Sequence, residues 1–240
     1  MLRISKTPEE LLLALADFLI ARATASIALS GRFNFVLSGG SSPIKLYELL
    51  ALEEFRNKID WKNVFFFFGD ERYVPADHPG SNFLMAKKAL LDPLHIADDH
   101  VFAIDTRQSP AESARAYEKR IRDYFGGPCR FDFVLLGLGD NSHTVSLFPH
   151  TEVLHEKKAL VKETYVEEVK MYRITMTAPL INEARTAAFL VYGSPKAEAV
   201  HRVIELRPVN IEEYPAQLIH LDDGELHWFL DEAAASRIKH

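Results

Sequence analysis

Short apolar runs alternate with longer stretches of helical spacing along this chain of 240 residues. The apolar runs are rich in Val, Leu and Phe and are too short for core helices, so they are typical of buried strands. We predict strands over residues 34–37, 64–68, 131–136 and 186–192.

Helices are predicted between these strands, where Ser or Thr stands at the start of a periodic apolar stretch. Capping boxes with Pro at the first helical position begin at Thr7 and Ser109, and Gly126-Gly127 ends the second of these helices. Further helix starts are predicted at Ser42, Ser81 and Ser194. Asp223-Gly224 predicts a turn between the apolar stretches 218–221 and 226–230, and a last short helix is expected over 233–238.

Continuously apolar strands that alternate with capped helices indicate an α/β fold. We expect a mostly parallel, open, Rossmann-like sheet with helices on both faces. No linker, repeat or low-complexity tract interrupts the pattern, so a single domain is expected over residues 1–240. Because ligands of such folds bind at the carboxyl ends of the strands, the loops that follow the strands are where chemistry is expected.

The first of these loops runs from Ser38 to Pro43 and contains Gly39, Gly40, Ser41 and Ser42. Paired glycines let the backbone turn its N–H groups toward a ligand, and the following helix offers its positive dipole end. The loop fits phosphate binding and a tight turn with a serine N-cap equally well, so both interpretations stay open at this point.

Two more loops bring charged side chains to the same edge. Asp70-Glu71-Arg72 directly follows the strand over 64–68, where three charges are costly unless they face a cleft or pair with one another. A solvated acidic turn is the alternative. Lys196 follows Gly193-Ser194-Pro195 in the first turn of a helix, where the helix dipole disfavours a cation. An anion bound between the helix amino end and the lysine would remove this conflict. Arg173 is a further candidate cation, but the sequence does not predict the direction of its side chain.

The remaining loop, Gly137 to Thr144, places His143 after the strand over 131–136. An imidazole at this edge can accept a proton from water near neutral pH, although a lone histidine is often structural. The glycines resemble a dinucleotide fingerprint, but the sixth position is Ser142 and Lys157 stands where an acidic residue would be needed, so we predict no dinucleotide site.

Composition narrows the functional classes. The net charge is −6 and no Lys/Arg run of five or more occurs, so no nucleic-acid partner is expected. One cysteine, Cys129, permits neither an intrachain disulfide nor a thiolate metal site, and no His-Glu-x-x-His pattern occurs, so no metal is expected. Without a signal peptide or an uninterrupted membrane-length apolar run, we expect a cytoplasmic protein with no membrane partner. The sequence leaves monomer and homodimer open.

The loops together resemble the 6-phosphogluconolactonase family. The resemblance runs in order over almost the whole chain, and His143-Thr144-Val145-Ser146-Leu147-Phe148-Pro149 is its most specific part. The other matching segments are Leu37 to Pro43, Phe68 to Pro75, Leu136 to Gly139, Arg173 to Thr175 with Pro179, Gly193 with Lys196, and Trp228 to Ala234.

The resemblance implies a sheet of the glucosamine-6-phosphate deaminase and ribose-5-phosphate isomerase type. It also implies hydrolysis of 6-phospho-D-glucono-1,5-lactone, a sugar phosphate of the pentose phosphate pathway, without a cofactor. His143 would activate water, with Asp70 among the catalytic candidates. The substrate would be held by Gly39, Gly40, Ser41, Ser42, Arg72, Arg173 and Lys196.

One departure from the family concerns the partner of His143. The family usually has Asp-Gly before this histidine, where the present chain has Asn141-Ser142, so either Asn141 or Asp140 is expected to orient the imidazole.

Two other functions remain open: glucosamine-6-phosphate deamination, and non-catalytic sugar-phosphate sensing on the same fold. Arg72 and Thr144-Val145 differ from the deaminase pattern. Backbone N–H groups of residues 139–143 are expected to stabilise the oxyanion.

Overall fold

The central sheet of the computed structural model, which describes residues 1–239, has seven strands. Numbered along the chain, these are β1 (Leu2–Ser5), β2 (Phe33–Leu37), β3 (Val64–Phe68), β5 (Val101–Phe102), β6 (Phe133–Leu136), β9 (Thr186–Val191) and β10 (Glu225–Asp231). Their order across the sheet is β1-β10-β9-β6-β2-β3-β5, and every neighbouring pair is parallel. The predicted mostly parallel α/β sheet is confirmed.

The middle of this sheet is buried on both faces. Every residue of β2, β6 and β9 is buried, which explains why these strands read as continuous apolar runs rather than as alternating patterns. Phe35 on β2 lies between Phe66 and Phe133 on the flanking strands, with ring centroids 6.1 and 5.7 Å away. Aromatic packing of this kind fixes the relative positions of β2, β3 and β6, whose ends carry the candidate loops.

Within residues 1–239, seven α-helices accompany the sheet, and three of them begin at predicted caps. The helix predicted to start at Ser42 begins at Ser41, with Gly40 as its N-cap. Thr7 accepts a hydrogen bond from Glu10 N, Ser81 from Leu84 N, and Ser109 forms a complete capping box. Gly126 ends its helix in the left-handed conformation at φ 63°. The helices are α1 (Pro8–Ser30), α2 (Ser41–Ala51), α3 (Glu53–Arg56), α4 (Asn82–Ala86), α5 (Pro110–Phe125), α6 (Ala178–Asn182) and α7 (Ala197–Ile204).

Helix α1 is long and apolar enough, by length and composition alone, to cross a membrane. Asp17 and Arg22 interrupt its apolar residues, and Leu11, Leu15 and Leu19 are fully buried. The helix contacts β2, β10 and α2, so its apolar character has a place in the core of the fold.

A second, antiparallel sheet was not predicted. It consists of β4 (Asp70–Arg72), β7 (Val161–Val166) and β8 (Met171–Met176), in the order β4-β8-β7. β7 carries exposed or half-buried polar residues between buried ones and packs on α5, so it lacks the continuous apolar run of the main strands. The charged triplet after β3, expected to be a loop, is therefore an edge strand.

The carboxyl-terminal segment also differs from expectation. The turn at Gly224 does not join two paired strands, because β10 pairs in parallel with β9 and β1 instead. The predicted helix over 233–238 is wrong, since these residues form successive turns. The Asp231 side chain accepts hydrogen bonds from Ala234 N and Gly193 N, which ties this segment to the loop after β9.

Candidate active site

The four loops singled out by sequence meet at one edge of the main sheet. They follow β9, β6, β2 and β3, which are adjacent strands, so their carboxyl ends open into one cleft of about 240 Å³. Gly39, Gly40, Ser41, Ser42, Asp70, Arg72, His143, Arg173 and Lys196 all line this cleft. Asp140 and Asn141 lie beside it, on the loop that carries His143.

The Gly39–Ser42 turn presents the amino end of α2 to the cleft. Gly40 is the N-cap residue and has φ 104°, a conformation that favours glycine. A Cβ on Gly39 would lie 2.0 Å from Oδ1 of Asn82, so this glycine allows a close approach of the turn to α4. The first turn of α2 carries no acidic side chain, which leaves its positive dipole end for an anion.

Arg72 and Arg173 face each other across the second sheet. They are register partners on β4 and β8, where like charges repel unless an anion lies between them. Arg72 donates to the carbonyl of Gly80 at 2.7 Å. Burial lowers the pKa of Arg173, and its buried Nε has no hydrogen-bond partner within residues 1–239. The antiparallel sheet thus aims two guanidinium groups into the cleft.

Glu71 holds this arrangement from behind. Its buried carboxylate accepts hydrogen bonds from Asn82 N at 2.7 Å, Phe83 N at 2.8 Å and Ser81 Oγ at 3.0 Å, and also from Arg72 N at 2.8 Å. Burial raises the pKa of Glu71, and the three backbone donors oppose that rise. Glu71 therefore locks the amino end of α4 to the strand that bears Arg72.

Asp70 is directed at the loop that carries the histidine. Its carboxylate accepts from Ser146 Oγ at 2.6 Å and from Asn82 Nδ2 at 3.2 Å. Ser146 N in turn donates to Thr175 Oγ1 at 3.1 Å. These contacts make Asp70 a connection between the two sheets rather than a partner of His143.

Lys196 and Asp140 form an ion pair of 2.7 Å at the mouth of the cleft. Lys196 ends a 3₁₀ turn, Ser194–Lys196, that precedes α7, so the predicted helix start at Ser194 is a tighter turn. The Asp140 side chain is 73% exposed and the Lys196 side chain 28%. Asp140 is thus committed to Lys196, and its expected role beside His143 is not what the structure shows.

His143 is held on three sides. Its Nδ1 lies 2.5 Å from Oδ1 of Asn141, and its ring stacks on Phe148 with centroids 3.9 Å apart and an interplanar angle of 16°. A Cβ on Gly139 would lie 2.1 Å from Nδ1 of His143, so only glycine lets the ring lie against this backbone. Of the two candidates for orienting the imidazole, Asn141 is the one in contact.

The surroundings of His143 lower its pKa to about 4. Burial is the main cause, the charges of Lys196 and Arg173 add to it, and Asp140 acts in the opposite direction. The imidazole is consequently neutral at pH 7 and has a lone pair with which to accept a proton.

The expected oxyanion donors are mostly occupied. Gly139 N donates to His143 O at 2.8 Å, Ser142 N donates to Gly139 O at 2.9 Å, and His143 N donates to Asn141 Oδ1 at 3.3 Å. These three N–H groups build the loop rather than point at a ligand.

Two residues of this loop have unusual backbone conformations. Ser142 has φ 64°, and Val145, a β-branched residue, has φ 46°. The carbonyl of Ser142 accepts from Ala216 N at 3.0 Å, which helps to hold the strained turn. The loop places His143 in the cleft and Ser146 Oγ within hydrogen-bond distance of Asp70.

Sequence reasoning missed two contributors. Asn82 was not singled out, although Ser81 before it was predicted to start a helix; its side chain bonds Asp70 and lines the cleft, and its buried Oδ1 has no partner within residues 1–239. Phe148 was noted only within the family string, and its stacking on His143 depends on the turn between them. The Ser81-Asn82 pair directly after a glycine was the one available signal.

Comparison with known proteins gives this site a family. The model of the glucosamine-6-phosphate isomerases/6-phosphogluconolactonase family matches residues 6–228. A 6-phosphogluconolactonase of Nostoc sp. is 40% identical over 227 residues, which cover 92% of this chain and 91% of the relative.

Solved structures agree with this match. A 6-phosphogluconolactonase from Trypanosoma cruzi superposes with a TM-score of 0.89 at 30% identity, covering 100% of this chain and 97% of the other. A monomeric glucosamine-6-phosphate deaminase superposes with a TM-score of 0.83 at 22% identity, covering 98% and 99%, which supports the predicted fold type alone. The chain therefore belongs to the glucosamine-6-phosphate isomerase/6-phosphogluconolactonase family.

Proposed function

We propose that this protein hydrolyses 6-phospho-D-glucono-1,5-lactone to 6-phospho-D-gluconate, the lactone-opening step of the pentose phosphate pathway. The observation that carries the proposal is a neutral, oriented His143 in the same cleft as three cationic side chains. A phosphorylated, electrophilic lactone requires both parts, an anion site and a general base. The names of the relatives support the same assignment.

Substrate binding begins with the phosphate. The amino end of α2, Arg72, Arg173 and Lys196 supply positive charge, and the Gly39–Ser42 turn lets backbone N–H groups approach the phosphate oxygens. The bound phosphate would also replace the repulsion between the two facing arginines by attraction. Binding energy gained at this remote group positions the lactone carbonyl beside His143.

Ring opening then needs one proton transfer in each direction. Nε2 of His143 accepts a proton from water as the water oxygen bonds to C1 of the lactone. The tetrahedral intermediate collapses with cleavage of the C1–O5 bond, and the imidazolium returns its proton to O5, so that one water is added overall. Because the anchored Nδ1 faces Asn141, Nε2 is the nitrogen available for this exchange.

The anion site also tunes the base. In the ligand-free protein, Lys196 and Arg173 lower the pKa of His143. A bound phosphate brings compensating negative charge to these cations and so raises that pKa toward the range where imidazole is a stronger base. Substrate binding and base strength are coupled in this account.

The proposal rests on residues of the chain alone. Within residues 1–239, no group of three or more His, Cys, Asp or Glu side chains is placed to share a metal ion. A metal- and cofactor-independent mechanism, a cytoplasmic location and a single domain stay predictions.

A direct assay separates the three candidate functions. Freshly generated 6-phosphogluconolactone should be hydrolysed by the protein well above its spontaneous rate, with saturation, in the presence of a chelator. Glucosamine 6-phosphate should release no ammonia. A lactone rate equal to the spontaneous one would refute the proposal: accompanying ammonia release would indicate a deaminase, and tight 6-phosphogluconate binding without turnover would indicate a sensor.

A further inference from the structure

The residue that orients His143 is itself held by a second side chain. Nδ2 of Asn141 donates to Oε2 of Glu168 at 2.9 Å. Glu168 lies in the 3₁₀ turn Glu167–Val169, which connects β7 to β8 on the second sheet. A carboxylate that is 27 positions away in sequence thus reaches the amide next to the base.

These contacts fix the orientation of the Asn141 amide. The backbone N–H of His143 can only donate, and it lies 3.3 Å from Oδ1 of Asn141. The Glu168 carboxylate can only accept, and it faces Nδ2. A flipped amide would bring donor against donor and acceptor against acceptor at these two points.

The fixed amide in turn fixes the tautomer of the histidine. Because Oδ1 is the atom that faces the ring, Nδ1 of His143 must carry the proton, and the lone pair is left on Nε2. Without Glu168, the flipped amide orientation would cost less relative to the observed one. The flipped amide would present Nδ2 to the ring, and Nδ1 of His143 could then carry the lone pair.

We propose that Glu168 is a positioning residue that acts on His143 through Asn141, and that Glu168 and Asn141 are a matched pair. This inference rests on the proposed function. Asn141 orients the ring but carries no charge, and the Glu168 carboxylate polarises its amide so that Oδ1 becomes a stronger acceptor for Nδ1–H.

The matched pair explains the departure from the family pattern. An aspartate at position 141 would place a carboxylate against the Glu168 carboxylate, at the point where the amide now donates. Like charges at this distance repel, and the aspartate would turn away from Glu168 or bind a proton. Asn141 is therefore the residue that suits a hairpin turn carrying Glu168.

The test is the substitution Glu168→Ala, whose effect on kcat should change sign between the wild-type and the Asn141→Asp backgrounds. In the wild-type background, Glu168→Ala should lower kcat for lactone hydrolysis roughly tenfold with little change in KM, because the base is misoriented while the anion site is intact. In the Asn141→Asp background, the same substitution should raise kcat, because it removes a repulsion. Glu168→Gln should keep most of the wild-type kcat, since its amide oxygen can still accept from Asn141.

A neighbouring variant supplies the control. Glu167→Ala removes an exposed carboxylate of the same turn, and its side chain makes no hydrogen bond among the described residues, so kcat should be unchanged. Equal losses in both backgrounds, or a Glu168→Ala kcat equal to wild type, would overturn the inference.

A spectroscopic readout separates this inference from the proposed function. In long-range ¹H–¹⁵N spectra of the ligand-free protein, His143 should carry its proton on Nδ1, and Glu168→Ala should populate the other tautomer. A tautomer shift in a protein without lactonase activity would refute the proposed function alone. Lactonase activity with an unchanged tautomer in Glu168→Ala would refute the positioning role alone.

Discussion

The cleft has a base half, around His143, and an anion half, around Arg72 and Arg173, which differ in how far their polar groups are already paired. In the base half, His143 is stacked on Phe148 and bonded to Asn141, and three N–H groups of its loop already donate within that loop. In the anion half, Arg72 and Arg173 face each other as like charges, and the buried Nε of Arg173 has no partner among residues 1–239.

The difference shows which interactions form only when the substrate binds. The hydrogen bonds and the stacking of the base half are already present in the ligand-free protein, so its contribution should appear in kcat. The anion half contains two like charges, which Asp70 and Glu71 offset in part, and one unsatisfied donor on Arg173 that a phosphate can engage, so its contribution should appear in binding. Replacing a residue in one half should therefore change mainly the parameter of that half, and the cations should reach the other half only through the pKa of His143.

Loss of the base should have the largest effect. His143→Asn should lower kcat by about 10²–10⁴-fold, the usual contribution of a general base, while the Kd for 6-phosphogluconate changes little. Steady-state assays and calorimetric titration measure the two parameters. His95→Asn is a matched control, because His95 has φ 53°, which asparagine tolerates, and belongs to neither half. A wild-type kcat in His143→Asn would contradict the assignment of the base.

A steric clash with the ring of His143 should have the second-largest effect on kcat. Gly139→Ala puts a methyl group where Nδ1 of His143 lies, and the displaced ring should cost roughly 10²-fold in kcat. Gly127→Ala is its control, since a Cβ there meets nothing within 4 Å. An alanine variant with an unchanged kcat would mean that the exact ring position is unimportant.

Arginine replacement should affect binding instead. Arg173→Met should weaken 6-phosphogluconate binding by about 10- to 100-fold, the value of hydrogen bonds to a charged group, with a smaller change in kcat. Arg185→Met, at the opposite end of β9, should leave both parameters unchanged. A kcat loss larger than the affinity loss would remove the distinction between the two halves.

Lysine replacement should move the pH dependence. Lys196→Met removes a positive charge that lowers the pKa of His143, so that pKa should rise. Since only the neutral imidazole accepts a proton, activity is lost as pH falls through this pKa, and the acid limb of kcat/KM should shift to higher pH. An acid limb that stays in place would show that Lys196 does not act on the base.

The smallest effect is expected at Asp140. Its ion pair with Lys196 is largely exposed, and exposed pairs contribute about 0–1 kcal/mol. Asp140→Asn should change kcat and KM by less than about fivefold, whereas Asn141→Ala should lower kcat considerably more. Equal losses in the two variants would contradict the choice of Asn141 as the orienting residue.

The parts of the fold with a strong local signal could be predicted from the sequence. Val64–Phe68 was predicted with its observed bounds, because a fully buried parallel strand is continuously apolar. The cap at Ser109 and the stop at Gly126 involve neighbouring residues, so they too could be read directly. The convergence of the four loops followed from the rule that parallel strands end at the same edge.

What the sequence did not reveal depends on contacts between distant residues. The hairpin of β7 and β8 interleaves polar and buried positions and was missed, and with it the facing of Arg72 and Arg173. Whether Asn141 or Asp140 meets His143 depends on a turn with φ 64° at Ser142. The reach of Glu168 to Asn141 likewise requires the folded hairpin.

The coupling between the two halves is tested most directly by titrating His143 itself. Its imidazole pKa can be followed by nuclear magnetic resonance in the ligand-free protein and with saturating 6-phosphogluconate. We expect a pKa near 4 without ligand and a clear rise when the phosphate is bound. A pKa near 6.5 in both states, or one that ligand binding leaves unchanged, would contradict it.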